Sequence, residues 1–130
     1  MGAASNERGR RAEEAAVDAL SAAGFRIIET NYRVVGAEID VVCRDGEGLV
    51  FAEVRALSPG PVEPSATIDG RKFRRLLRGS RSWLERHDRS HADWRFVVVS
   101  VSLDTDGRPI GTEIIEDPFA HHPEYHHGDP

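Results

Sequence analysis

Cysteine occurs once in these 130 residues, at Cys43, so no disulfide can close within the chain and a thiolate zinc site has no second ligand. Long apolar runs are missing too. None approaches the roughly 20 residues that a membrane-spanning helix needs, and the start from Met1 to Glu7 has no signal-peptide core, so the expectation is a cytoplasmic protein. Positive charge is in short supply: 17 Lys and Arg stand against 22 Asp and Glu, a net −5, which argues against a coat that binds nucleic acid indiscriminately. Internal repeats, coiled-coil heptads and a glycine-rich phosphate loop are absent. What is there is an ordinary globular composition, 39% hydrophobic and 30% charged, long enough for one domain with a real core.

Two carboxylates stand in β-branched surroundings. Asp40 lies in Glu38-Ile39-Asp40-Val41-Val42, and Glu53 in Phe51-Ala52-Glu53-Val54-Arg55. Such stretches predict strands with little water access, where an unpaired carboxylate is expensive. Between them, Arg44-Asp45-Gly46-Glu47-Gly48 reads as a hairpin turn. A hairpin centred between Gly46 and Glu47 sets Asp40 directly opposite Glu53, on one face, with Cβ atoms about 4.5–5.5 Å apart. Like charges that close repel, and a divalent cation held by both removes the repulsion. Oxygen ligands of this kind suit Mg²⁺. Arg55 shares the face of Glu53, while Val50, Ala52 and Val54 take the other.

A third acid joins from a helix. Residues Glu7 to Ala23 predict an alanine-rich helix ended by Gly24, and Glu13 falls on the face of Ala16, Val17 and Leu20. There it can lean over a neighbouring sheet as a third ligand or a water-positioning group.

The charge is unevenly spread. From Arg71 to Arg86 there are seven basic residues against one acid, a net +6, leaving −11 for the remainder. That polarisation predicts one face that meets an anionic polymer. The segment reads as a helix with Asp69 as its N-cap and with Phe73, Leu76, Leu77, Ser80 and Leu84 inward. Arg71, Arg74, Arg75, Arg78 and Arg81 lie at its margins and outer side.

The remaining order is a strand from Phe25 to Val35 bent near Thr30 or Asn31, hairpin strands Glu38 to Arg44 and Leu49 to Ala56, a proline-rich loop, the basic helix, and strands Trp94 to Leu103 and Thr112 to Ile115. Arg95-Phe96-Val97-Val98-Val99-Ser100-Val101 predicts a central strand covered on both faces and parallel to a hairpin strand through a helical crossover. The fold class is therefore α/β, a mixed sheet flanked by helices in the order α-β-β-β-α-β-β. Residues 1–118 are read as a single domain and 119–130, with His121, His122, His126 and His127, as a flexible tail that picks up metals opportunistically.

Gly9-Arg10-Arg11-Ala12-Glu13-Glu14-Ala15-Ala16, Gly24-Phe25, Asn31-Tyr32-Arg33, Gly36-Ala37-Glu38-Ile39-Asp40-Val41-Val42 and Val50-Phe51-Ala52-Glu53-Val54-Arg55 together resemble the YraN-like uncharacterised proteins. These are small members of the PD-(D/E)XK, or restriction-endonuclease-like, nuclease superfamily, similar in layout to archaeal Holliday-junction resolvases. The resemblance covers about residues 8 to 103. It implies a restriction-endonuclease-like core in which Glu13, Asp40 and Glu53 bind Mg²⁺ or Mn²⁺, with position 55 as the motif's lysine. It further implies hydrolysis of phosphodiester bonds in DNA, structured or branched DNA included, with Arg71, Lys72, Arg74, Arg75 and Arg78 holding backbone phosphates. DNA ranks ahead of RNA as the partner, no membrane is involved, and a homodimer stays open. Arg55 stands where the motif has lysine; it supplies charge but not proton transfer. A catalytically impaired nucleic-acid-binding module with the same fold is thus the alternative.

Overall fold

The alanine-rich run forms helix α1 (Ala3–Ala22), which stops at Gly24, a residue at φ 98° where a side chain would be strained. In this computed structural model residues 3–46, 48–59, 69–89, 92–116 and 118 are described. The proline-rich loop beyond residue 59, the hairpin-turn residue Glu47 and the His-rich tail from 119 lie outside them. After α1 come β1 (Arg26–Val34), β2 (Ala37–Asp45), β3 (Gly48–Leu57), α2 (Gly70–Arg86), β4 (Trp94–Leu103) and β5 (Pro109–Glu116), the expected succession.

Among the described residues the sheet has five strands in chain order, β1-β2-β3-β4-β5. Only β3 and β4 are parallel, as the intervening α2 requires. The two helices cover opposite faces. Ala12, Ala16 and Leu20 of α1 pack with Val41, Cys43, Val50 and Ala52. On the other face Phe73, Leu76, Trp83 and Leu84 of α2 pack with Ile39, Val42, Leu49 and Phe51. Because both faces are covered, β4 is buried from Phe96 to Val101, as its near-continuous apolar run predicts. At Gly79 α2 packs close against β2: an added Cβ would lie 3.1 Å from two side-chain carbons of Ile39.

Element ends differ from the sequence reading by a few residues. The last strand begins at Pro109 rather than Thr112, which is permitted because β5 is an edge strand and its first residue need not donate to the ladder. β1 is distorted where expected: Asn31 has φ 57°, and the β1–β2 register shifts between Ile27 and Glu29. The inward stripe of α2 also contains Trp83, which the stripe read from the sequence omitted.

Asp69 caps α2, its Oδ1 accepting the N–H of Lys72 at 3.0 Å. Asp69→Ala should destabilise the chain by about 1 kcal/mol, read as a lower urea midpoint with an unchanged m-value.

Candidate metal and nucleic-acid site

β2 and β3 pair as Val41↔Ala52, Val42↔Phe51 and Cys43↔Val50, the register predicted from the hairpin centre. One step beyond Val41↔Ala52, where the paired register ends, stand Asp40 and Glu53. Here the regular ladder gives way, and Oδ2 of Asp40 accepts the backbone N–H of Val54 at 2.8 Å. Both flanking strands are irregular at this level. Ile39 and Val41 pack on opposite faces although residues two apart on a regular strand share one. On β1, Asn31 lies across from Asp40, between the pairs Thr30↔Val41 and Tyr32↔Ile39, in its left-handed conformation.

Burial pushes the Asp40 carboxyl up to about 7, with the charge of Glu53 as the next cause and the Val54 hydrogen bond opposing both. Glu53 is only 4% exposed. Its Oε2 lies 3.1 Å from Nζ of Lys72 and 3.6 Å from a guanidinium nitrogen of Arg55. Its Oε1 is buried and finds no hydrogen-bond partner among the described residues. Asp40 can serve as a donor to Glu53 only by carrying a proton, which is the direction its pKa takes.

An all-oxygen donor set with an unmatched buried oxygen fits a hard divalent ion such as Mg²⁺ or Mn²⁺. Asp40 and Glu53 are the residues that would hold it. Glu13 comes from α1 to the Asp40 side of the pair. Its Oε1 accepts from Asn31 Nδ2 at 2.8 Å, and it shares a small cleft with Asp40, Gly9, Ala12, Val54 and Ala56. Among the described residues no three His, Cys, Asp or Glu side chains close around one point. The reason lies in the layers: Glu13 comes from α1 on one face, while Glu53 turns to Lys72 of α2 on the other.

Arg55 shares the Glu53 face as predicted, and because α2 covers that face their ion pair at 3.6 Å is partly buried rather than set on an open sheet surface. Lys72, assigned with the phosphate-holding residues, turns inward to Glu53 instead. Sequence reasoning missed this contact, although a signal existed. A helix that follows a strand in a parallel crossover starts near that strand's carboxyl end, and Lys72 lies in the first turn after the Asp69 cap.

The rest of the basic set faces out. Arg71, Arg74, Arg75, Arg78 and Arg81 are exposed. Nε of Arg75 donates to the carbonyl of Gly36 at 3.4 Å, and a guanidinium nitrogen of Arg78 lies 2.7 Å from where a Cβ on Gly36 would be. Gly36, at φ 79°, thus serves both the β1–β2 turn and the close approach of Arg78. Arg74, Arg78 and Arg81 line a shallow groove with Leu77, Ser82 and Glu85. His87, which lies four residues before His91 at helical metal-pair spacing, stacks on Trp83 with ring centroids 3.9 Å apart; His91 is outside the described residues. Among the described residues no helix is long and apolar enough to cross a membrane.

Comparison with known proteins matches residues 12–101 to a family described as "Uncharacterised protein family UPF0102". A UPF0102 protein of Moorella thermoacetica is 41% identical over 113 residues, 86% of this chain and 94% of that protein. One from Frankia casuarinae is 37% identical over 112 residues, 85% of this chain and 94% of its own length. One from Anaeromyxobacter dehalogenans is 40% identical over 102 residues, 78% and 75% of the two chains. The matched span holds the acid pair, Lys72 and the basic face of α2, and the chain belongs to the uncharacterised UPF0102 family.

Proposed function

We propose that the chain is a divalent-metal-dependent phosphodiester hydrolase of the PD-(D/E)XK type that acts on DNA, with branched or otherwise structured DNA as the preferred class. The observation that carries this reading is the buried Asp40–Glu53 pair with its unmatched Oε1, set beside cationic side chains and next to an arginine-lined helix face. A structural ion pair has no use for an orphaned carboxylate oxygen. A hydrolytic site does.

Asp40 and Glu53 hold Mg²⁺ or Mn²⁺ in this reading; when bound, the ion supplies Lewis acidity at a phosphoryl oxygen and a more acidic water. Asp40 is kept in place by the Val54 N–H, which would leave its second oxygen to hold the ion. Glu13, oriented by Asn31 at the edge of the shared cleft, accepts from water entering beside Asp40. Arg55 balances negative charge that grows at phosphorus. Arg71, Arg74, Arg75 and Arg78 hold backbone phosphates, which gives affinity without base readout and leaves shape to set specificity.

Purified chain incubated with a synthetic four-way junction and with the matching linear duplex should cleave the junction in Mg²⁺ or Mn²⁺, and EDTA should stop it. Arg74→Glu with Arg75→Glu should weaken DNA binding by about 10-fold or more and lower the salt dependence of binding by roughly one to two phosphates. One observation favours a second reading. The position of the motif lysine holds Arg55, which cannot exchange protons near neutral pH. Binding of the junction without metal and without cleavage would identify a non-catalytic binding module instead.

A further inference from the structure

The basic helix sends one side chain into the acid pair. Lys72 follows the cap residue Asp69, whose Oδ1 accepts its N–H at 3.0 Å, and precedes Phe73, which is fully buried and whose own N–H is bonded to the Asp69 carbonyl at 2.9 Å. The backbone at position 72 is therefore held on both sides, and the ammonium reaches Oε2 of Glu53 at 3.1 Å. Arg55 approaches the same oxygen at 3.6 Å, beyond hydrogen-bond reach. Glu53 is 5% exposed in its side chain, whereas that of Lys72 keeps 34%, so the lysine stands between the buried acid and solvent. No other lysine occurs in the chain.

We infer that Lys72 and the divalent ion compete for Glu53, and that the ion releases Lys72 to the scissile phosphate. This rests on the hydrolase reading above. Glu53 already faces Lys72 and, farther off, Arg55; a divalent ion added there would repel the ammonium and neutralise the acid more completely than an ammonium does. Once Glu53 is neutralised by the ion, the flexible four-carbon stem lets the ammonium swing toward the solvent side, where a bound phosphate carries the nearest large negative charge. Lys72 is then the cation that the phosphate meets at the site, supplied by the helix rather than by position 55. The same side chain accounts for how Glu53 is tolerated at 4% exposure.

The test compares the natural chain, Lys72→Met, Lys72→Arg and the exposed neighbour variant Arg71→Met. Mn²⁺ affinity is measured by electron paramagnetic resonance without DNA, and kcat and KM on the four-way junction. Lys72→Met should bind Mn²⁺ about 5-fold or more tightly, because the ion no longer displaces an ammonium. Its kcat should fall about 100-fold with KM within about two-fold, the size of effect seen when one transition-state charge partner is lost. Lys72→Arg should return Mn²⁺ affinity to near the natural value and recover part of kcat. Arg71→Met should raise KM alone. Unchanged or weaker Mn²⁺ binding by Lys72→Met, or an unchanged kcat with a raised KM, overturns the inference and makes Lys72 a phosphate contact, with the hydrolase reading intact. Should the natural chain bind Mn²⁺ and Lys72→Met bind it more tightly while neither cleaves DNA, the competition stands and the hydrolase reading falls. If the natural chain binds no Mn²⁺, both fall.

Discussion

Asparagine at position 40 should make the chain more stable than the natural sequence above pH 7 in chelator-treated buffer, and should make little difference near pH 3. The carboxyl of Asp40 is raised from 3.8 to about 7, first by burial and then by the charge of Glu53. Between those two values the folded chain holds a proton that the unfolded chain has released. Stability therefore falls as pH rises through that window and stays low above it. The full linkage value for such a shift is about 4 kcal/mol. Solvent reaching Asp40 from the cleft shared with Glu13 screens part of this, and about 3 kcal/mol is the expected size. Asparagine keeps an oxygen to accept the Val54 N–H and carries no charge at any pH. Urea titrations from pH 3 to 9 would show the two proteins diverging only above about pH 4. Saturating Mg²⁺ at pH 8 should close much of the gap by stabilising the natural chain alone, about 2.7 kcal/mol at a 100-fold excess over Kd. The same variant should lose cleavage by about a thousand-fold, so stability and activity move in opposite directions. Parallel pH curves for the two proteins would remove Asp40 from any buried, repelled pair.

Truncation of Trp83 to alanine should destabilise the chain by about 3–5 kcal/mol. The indole is 2% exposed, meets Phe51 edge-on with ring centroids 5.9 Å apart, and donates through Nε1 to Glu29 at 2.9 Å. Its loss opens a cavity between α2 and the sheet and leaves the Glu29 carboxylate without that donor. Trp83→Phe keeps most of the volume and loses only the hydrogen bond, so about 1–2 kcal/mol is expected. The helix that Trp83 anchors also carries Lys72 and the arginine face, so the alanine variant should weaken junction binding under conditions where it is still folded. A destabilisation below about 1 kcal/mol would mean that α2 is held to the sheet chiefly by Phe73, Leu76 and Leu84.

Much of this molecule is written in local patterns. The spacing of Ala12, Ala16 and Leu20 marks the packed stripe of α1, and the turn residues around Gly46 are enough to set the β2–β3 register as far as Val41↔Ala52, one step short of Asp40 and Glu53. The apolar run of β4 announces a strand covered on both sides, and Asp69 announces the start of α2. These features depend on residues a few positions apart, whose geometry the backbone repeat dictates. Trp83 falls on the stripe of α2, seven residues after Leu76, but the small Gly79 and Ser80 between them make the apolar pattern hard to see.

The amino-acid order by itself determined the element succession, the β2–β3 register that leads up to the two strand acids, and the charge polarity of the helix. Only the packed molecule decided how the acids lie, because Glu53 turns to Lys72 of α2 while Glu13 of α1 accepts from Asn31 in the cleft it shares with Asp40. Only packing, likewise, brought Lys72 onto a carboxylate 19 positions earlier in the chain. Strand and helix periodicities tell which way a side chain points along its own element. How far one element's side chains reach into another is set by the separation of the layers, and that follows from the whole core at once.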